Sequence, residues 1–168
     1  FCLSRGLGDV YKRQPPLDAK RNEKPMTTEN PVTALKGAIE QQIDRAYDDV
    51  YDLYRQLHQC PELPFQEHET SARLADALGA LGYEVTRGVG RTGVVALLRN
   101  GEGPTVMLRG DMDALPIEER TGLDFASREI GETEEGRRVP LMHACGHDLH
   151  SSCLVGAAAV LAGLKAYW

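Results

Sequence analysis

"LHSSCLVGAAAVLAGL", residues 149–164, is rich in alanine and apolar on nearly every face, and it follows directly on the polar stretch "MHACGHD" of residues 142–148. A helix that is apolar all round belongs in an interior, so this stretch predicts a buried helix that starts at the edge of a polar loop. Upstream lie "YEVTRGV" (83–89), "TGVVALLRN" (92–100) and "TVMLRGDM" (105–112), rich in valine, leucine and threonine and separated by glycine-containing turns. These read as three strands. Further back, Val32, Leu35, Ile39, Ile43, Ala46, Val50, Leu53 and Leu57 recur at three- and four-residue steps and predict a long amphipathic helix, with Asn30 as its cap and Pro31 in its first turn. The two prolines of "HQCPELPFQEHET" break it, and a second helix is expected over 67–81, closed by Gly82. From Asp113 to Pro140 the sequence reads mostly as loop, with "GETEEGRR" (131–138) at its tip. Helices, then strands, then a buried helix indicate an α/β fold with helices on both faces of a mixed sheet.

The ends and the composition narrow the function. Residues 1–14, "FCLSRGLGDVYKRQ", show neither helical nor alternating periodicity and read as translated sequencing-adapter read-through; Met26 then reads as the natural start, and residues 1–30 as a disordered tail. Of the 168 residues, 42% are hydrophobic and 26% charged, a globular composition long enough for one core. No apolar run approaches the roughly 20 residues of a membrane span, so no membrane partner is expected. A net charge of −6, with the few basic clusters such as Lys12-Arg13 and Arg137-Arg138 lacking interleaved aromatics, argues against nucleic acid. The four cysteines (Cys2, Cys60, Cys145, Cys153) show no paired spacing, and no secretory signal opens the chain, which points to a reducing cytoplasm.

Chemistry concentrates in "HACGHDLH" (143–150). Only Gly146 separates Cys145 from His147, so one tight turn can bring a thiolate and an imidazole to one ion. In open α/β sheets functional groups gather at the carboxyl ends of strands. "LRGDMDALP" has that form, an apolar run ending in Arg109, Asp111 and Asp113, and one of these carboxylates can orient a metal-bound histidine. Duller readings stand beside these. Cys60 and Cys153 read as small core residues, His58 and His68 as ordinary hydrogen-bonding groups, and Asp148 as a helix N-cap. The residues alone leave three classes open: a metallohydrolase with Cys145 and His147 as ligands, a thiol hydrolase with Cys145 as nucleophile, and a structural zinc site of His143, Cys145, His147 and His150. Crowding of four ligands into eight positions disfavours the last.

"LRGDMDALPIEERTGLDFAS" (108–127) and "MHACGHDLHSSCLVGAAAVLA" (142–162), with "HQCPELPFQEHETSARLADALGALGYEV" (58–85) and "GRTGVVALLRNGEGPTVMLRGDMDALP" (90–116), closely resemble the amidohydrolase branch of the M20 metallopeptidase family. That branch includes hippurate hydrolases, N-acyl-amino-acid deacylases and plant hydrolases of auxin–amino-acid conjugates. The resemblance covers about residues 45–165. It implies that Cys145 and His147 are metal ligands and that Asp113 is an active-site residue steering a ligand and the metal-bound water. Asp111 stands where peptidase relatives carry a ligand histidine. Asp148 and His150 fall inside the motif as candidates for the surroundings of metal or substrate, and His58 and Glu62 match the "HxxPEL" segment as structure around the site.

The resemblance further implies hydrolysis of the amide bond of N-acyl amino acids by two divalent metal ions per subunit, of zinc, manganese or cobalt type. It implies a homo-oligomer dimerising through a smaller inserted domain, absent here, with residues 31–168 forming the N-terminal part of the catalytic domain. The general-base glutamate and the remaining ligands are expected beyond Trp168, so the 168-residue chain is expected to be inactive and, with its sheet edge and apolar helix uncovered, prone to aggregate.

Overall fold

Apolar side chains at helical spacing wind Pro31–Gln59 into a 29-residue helix, α1. In this computed structural model, which describes residues 31–168, α2 spans His68–Ala80 and α3 spans His147–Gly163. The expected tail, the Met26 start and the Asn30 cap lie outside the described residues. Only the second half of the α1 stripe is deeply covered: Leu53 and Leu57 are buried, whereas Ile43 is exposed. With Leu74, Leu78, Val155 and Ala158 they form the core, flanked by Tyr83, Val85, Val94, Ala96 and Met112.

Small residues set how α1 and α3 meet. A Cβ on Gly156 would lie 3.3 Å from Val50 Cγ2, and one on Gly163 would collide with the side chain of Gln42. Residue numbers fall along α1 as they rise along α3, so the two helices run antiparallel, and the end of α1 reaches the start of α3.

After α2, Leu81 closes the helix and Gly82 turns the chain at φ +85°. Strands β1 (Glu84–Val89) and β2 (Gly93–Leu97) then pair antiparallel, with a bulge between Arg87 and Val89. Alternation holds on the inner side, where Val85, Val94 and Ala96 face the core below α2.

Two expectations are corrected. Residues 105–112 join no ladder; Val106 and Met107 are 81% and 83% exposed. An apolar run supplies strand propensity, but a ladder also needs a backbone partner, which propensity does not specify. The segment instead runs onto the start of α3, where Ser151 Oγ donates to the Asp111 carbonyl at 2.9 Å and a Cβ on Gly110 would touch Leu154. Secondly, the expected loop contains a hairpin, β3 (Ile130–Glu132) with β4 (Arg138–Pro140), its turn tied by Thr133 N donating to Arg137 O at 2.9 Å. Both sheets among the described residues are two-stranded and antiparallel. A turn of 3-10 helix, Lys165–Tyr167, follows α3. No helix of the described residues is long and apolar enough to cross a membrane.

Helix α3 is less enclosed than its composition suggests. Val155 and Ala158 are buried, but Leu149 and Leu161 are exposed. Cys153 is exposed as well, which overturns its assignment to the core, and Cys60 is half-buried beside Arg73.

Candidate metal site

The site is assembled where the chain enters α3. Leu115 and Met142 exchange backbone hydrogen bonds at 2.9 and 3.0 Å, holding "LRGDMDALP" beside "MHACGH". Gly146 N donates to His143 O at 3.1 Å, and Gly146 takes a left-handed φ of 75° as the N-cap residue. Glycine adopts that conformation without the Cβ penalty, so the turn passes into the helix with no linker. Asp148 is therefore not the cap. It lies in the first helical turn, because the left-handed glycine already starts α3 at His147.

His147 Nδ1 lies 2.9 Å from the Asp113 carbonyl oxygen and 3.0 Å from Asp113 Oδ1. Both are acceptors, so Nδ1 carries the proton and, in the neutral ring, Nε2 presents the lone pair. Cys145 Sγ is exposed on the same turn, and no histidine among the described residues hydrogen-bonds it. Asp111 faces outward, its carboxylate 2.9 Å from Arg109 Nη2. The His150 side chain is exposed on α3, and His68 is exposed at the start of α2.

Behind the turn, His58 is buried with both ring nitrogens on carboxylates: Nδ1 is 2.6 Å from Asp148 Oδ2 and Nε2 is 3.0 Å from Glu119 Oε1. Burial pushes the His58 pKa down, but the hydrogen bonds to Glu119 and Asp148 outweigh it and the pKa lies above the ordinary 6.5. Glu119 is likewise pushed up by burial and pulled further down by Thr121, His58 and the Ser127 amide, 2.5 Å from its Oε2, so its pKa falls below 4.5. The consistent state is an imidazolium donating to two carboxylates. Phe125 closes edge-on over the His58 ring, centroids 5.2 Å apart.

Glu62 ties three elements together. Its carboxylate accepts from Glu69 N at 3.0 Å and Thr70 N at 2.8 Å, satisfying the first turn of α2, and its carbonyl accepts from Ala114 N at 2.7 Å, next to Asp113. The "PEL" segment thus holds the stretch around Asp113 against the start of α2.

Sequence reasoning missed two residues. Glu119 sits in "PIEERTG", which reads as a solvated charge run, and its partner His58 is 61 positions away. His143 was weighed only as a structural zinc ligand. It is 5% exposed, and among the described residues neither ring nitrogen has a hydrogen-bond partner. Burial, reinforced by His58 and His147 and opposed by Asp148 and Asp113, pushes its pKa below 6.5.

Among the described residues no group of three or more His, Cys, Asp or Glu side chains converges as a metal cage. A soft thiolate and a neutral imidazole whose far nitrogen is anchored on a carboxylate nevertheless fit two positions of a zinc-like shell.

Residues 107–168 match peptidase family M20/M25/M40. Thermostable carboxypeptidase 1 of Saccharolobus solfataricus is 45% identical over 116 residues, covering 68% of this chain and 27% of that protein. N-acetyl-L-cysteine deacetylase of Bacillus subtilis is 45% identical over 108 residues, 64% of this chain and 24% of its own length. A crystal structure from Bacillus subtilis, described as a dinuclear metal binding peptidase of the M20 family, superposes with TM-score 0.61 at 35% identity over 76% of this chain and 33% of that one. The chain thus spans about a quarter to a third of the length of the relatives it matches. The family match over residues 107–168 and the likeness of the fold to a solved M20 peptidase relate this chain to peptidase family M20.

Proposed function

We propose that the protein hydrolyses the amide bond of N-acyl amino acids, releasing a carboxylic acid and an amino acid, at a centre of two divalent metal ions. The observation that carries this reading is His147 Nδ1 held on Asp113 at 2.9 and 3.0 Å, which leaves Nε2 to present its lone pair two positions after the exposed Cys145. The names of relatives, a deacetylase and a carboxypeptidase, describe cleavage of a C–N bond next to an amino acid.

Bound there, divalent metal would polarise the amide carbonyl and lower the pKa of water. Cys145 would hold it as thiolate and His147 as neutral imidazole. Asp113 fixes the orientation of the His147 ring and accepts the hydrogen bond of its Nδ1 proton, which leaves Nε2 to face the metal. Asp111 and His150, both near the turn and open to solvent, are assigned to the substrate side. With two donors at the turn, the 168-residue chain by itself is expected to bind metal weakly and not to turn over. Cytoplasmic location and homo-oligomeric assembly complete the reading.

The test is an assay of the protein loaded with zinc, manganese or cobalt against a panel of N-acyl amino acids. Activity that disappears with a chelator and with Cys145→Ser, and returns on adding metal, supports the reading; activity indifferent to chelation overturns it.

A further inference from the structure

We propose that the buried Glu119–His58–Asp148 bridge is a positioning device for the Cys145–Gly146–His147 turn, in which His58 acts through Asp148; this rests on the metal reading above.

Three observations carry it. Helical neighbours project about 100° apart. Asp148 follows His147 directly in the first turn of α3, so the grip of His58 on Asp148 and the grip of Asp113 on His147 fix the roll of that turn from two directions. The bridge is also localised. Farther along, α3 meets α1 through Gly156 against Val50 and Gly163 against Gln42, close approaches of glycine backbone, and among the described residues the ion pair between the two helices lies at the end next to the turn. Finally, the charges are deeply enclosed: the side chains of His58, Asp148 and Glu119 are 7%, 3% and 0% exposed. A buried ion pair is weak as a source of stability compared with well-packed apolar residues, and its best-attested use is to select one arrangement among several. Here the selected arrangement is the rotation of α3 about its axis, and with it the direction of the His147 ring.

The test is titration of the full chain with cobalt(II) alone, following the thiolate-to-cobalt charge-transfer band, with Cys145→Ser as the control that must abolish it. The two amide variants of His58 divide the bridge. His58→Asn places an amide nitrogen near the Nδ1 position and keeps the Asp148 contact, whereas His58→Gln reaches the Nε2 position and keeps only Glu119. Positioning through Asp148 predicts that His58→Gln weakens cobalt binding tenfold to a hundredfold and alters the band, while His58→Asn stays close to the parent. Equal affinities for the parent and His58→Gln, or an equal loss in both variants, overturn the inference. If His58→Gln does not fold by circular dichroism, Asp148→Glu decides, since it keeps the ion pair but displaces the turn by a methylene: about tenfold weaker binding supports the device and unchanged binding sinks it. A parent chain with no Cys145-dependent band overturns the metal reading and this inference together, whereas a parent band that no bridge variant moves overturns the inference alone.

Discussion

His143 is enclosed yet has no hydrogen-bond partner for either ring nitrogen among the described residues, while Cys145, two positions on in the same turn, is exposed. A buried neutral imidazole must leave a donor unpaired there, at a cost of about 1–3 kcal/mol. His143→Leu removes that donor at similar volume, so thermal unfolding is expected to show equal stability or a gain of up to about 1 kcal/mol. A loss larger than that would mean the ring nitrogens are bonded in solution. At this scale the sequence was informative in part. His147 and Asp113, which the structure brings together, could be grouped from motif because the turn and the "LRGDMDALP" stretch each carry their residues within a few positions. Glu119 could not, because nothing local distinguishes it from the solvated Glu118, whose carboxylate meets only Arg120 beside it.

Among the elements, α2 shows why a motif is more than its ligands. Its N-cap residue, Glu67, makes no capping hydrogen bond, its carboxylate accepting instead from Thr92 Oγ1 at 2.6 Å. The cap is provided from five positions earlier in sequence by Glu62. Glu62→Ala should therefore destabilise the fold by about 0.5–2 kcal/mol, the usual worth of a cap, read as a lower midpoint in urea; an unchanged midpoint would show that solvent replaces the carboxylate without loss. Helix α1 was legible from its period, α3 from its continuous alanine-rich apolar run, and β1 and β2 from valine-rich segments between glycine-containing turns. The second hairpin was not, since "IGE" and "RVP" are too short to show alternation, and the pair is seated by tertiary contact: a Cβ on Gly131 would lie 2.8 Å from buried Leu141. Residues 105–112 mislead in the opposite sense, with strand composition but no ladder.

For the molecule as a whole, the bridge makes stability depend on pH in a definite direction. His58 has a raised pKa, so its contribution is complete below 6.5 and is lost as pH rises through the folded value. Glu119 has a lowered pKa, so its contribution is complete above 4.5 and is lost as pH falls through the folded value. The bridge therefore contributes most between these two limits. His143, with a pKa lowered chiefly by burial, acts oppositely below 6.5; that burial is common to parent and variant, and only the smaller effect of the His58 charge on it is lost with His58. Urea unfolding of the parent and of His58→Leu across pH should show a difference in stability that is greatest in this mildly acidic window. A difference that is flat, or that grows above neutrality, would exclude the imidazolium state.

The same bridge also bears on the order in which the molecule forms. Its contacts close chain segments of 61 and 90 residues, whereas the turns of α1 and the β1–β2 hairpin close over a few positions. Loop closure must precede any return from such distant partners. The helices and the hairpin can thus form early, while the orientation of His147 is settled only when α1, the loop around Glu119 and α3 have come together, so the chemically important turn is among the last parts of the chain to acquire its native geometry.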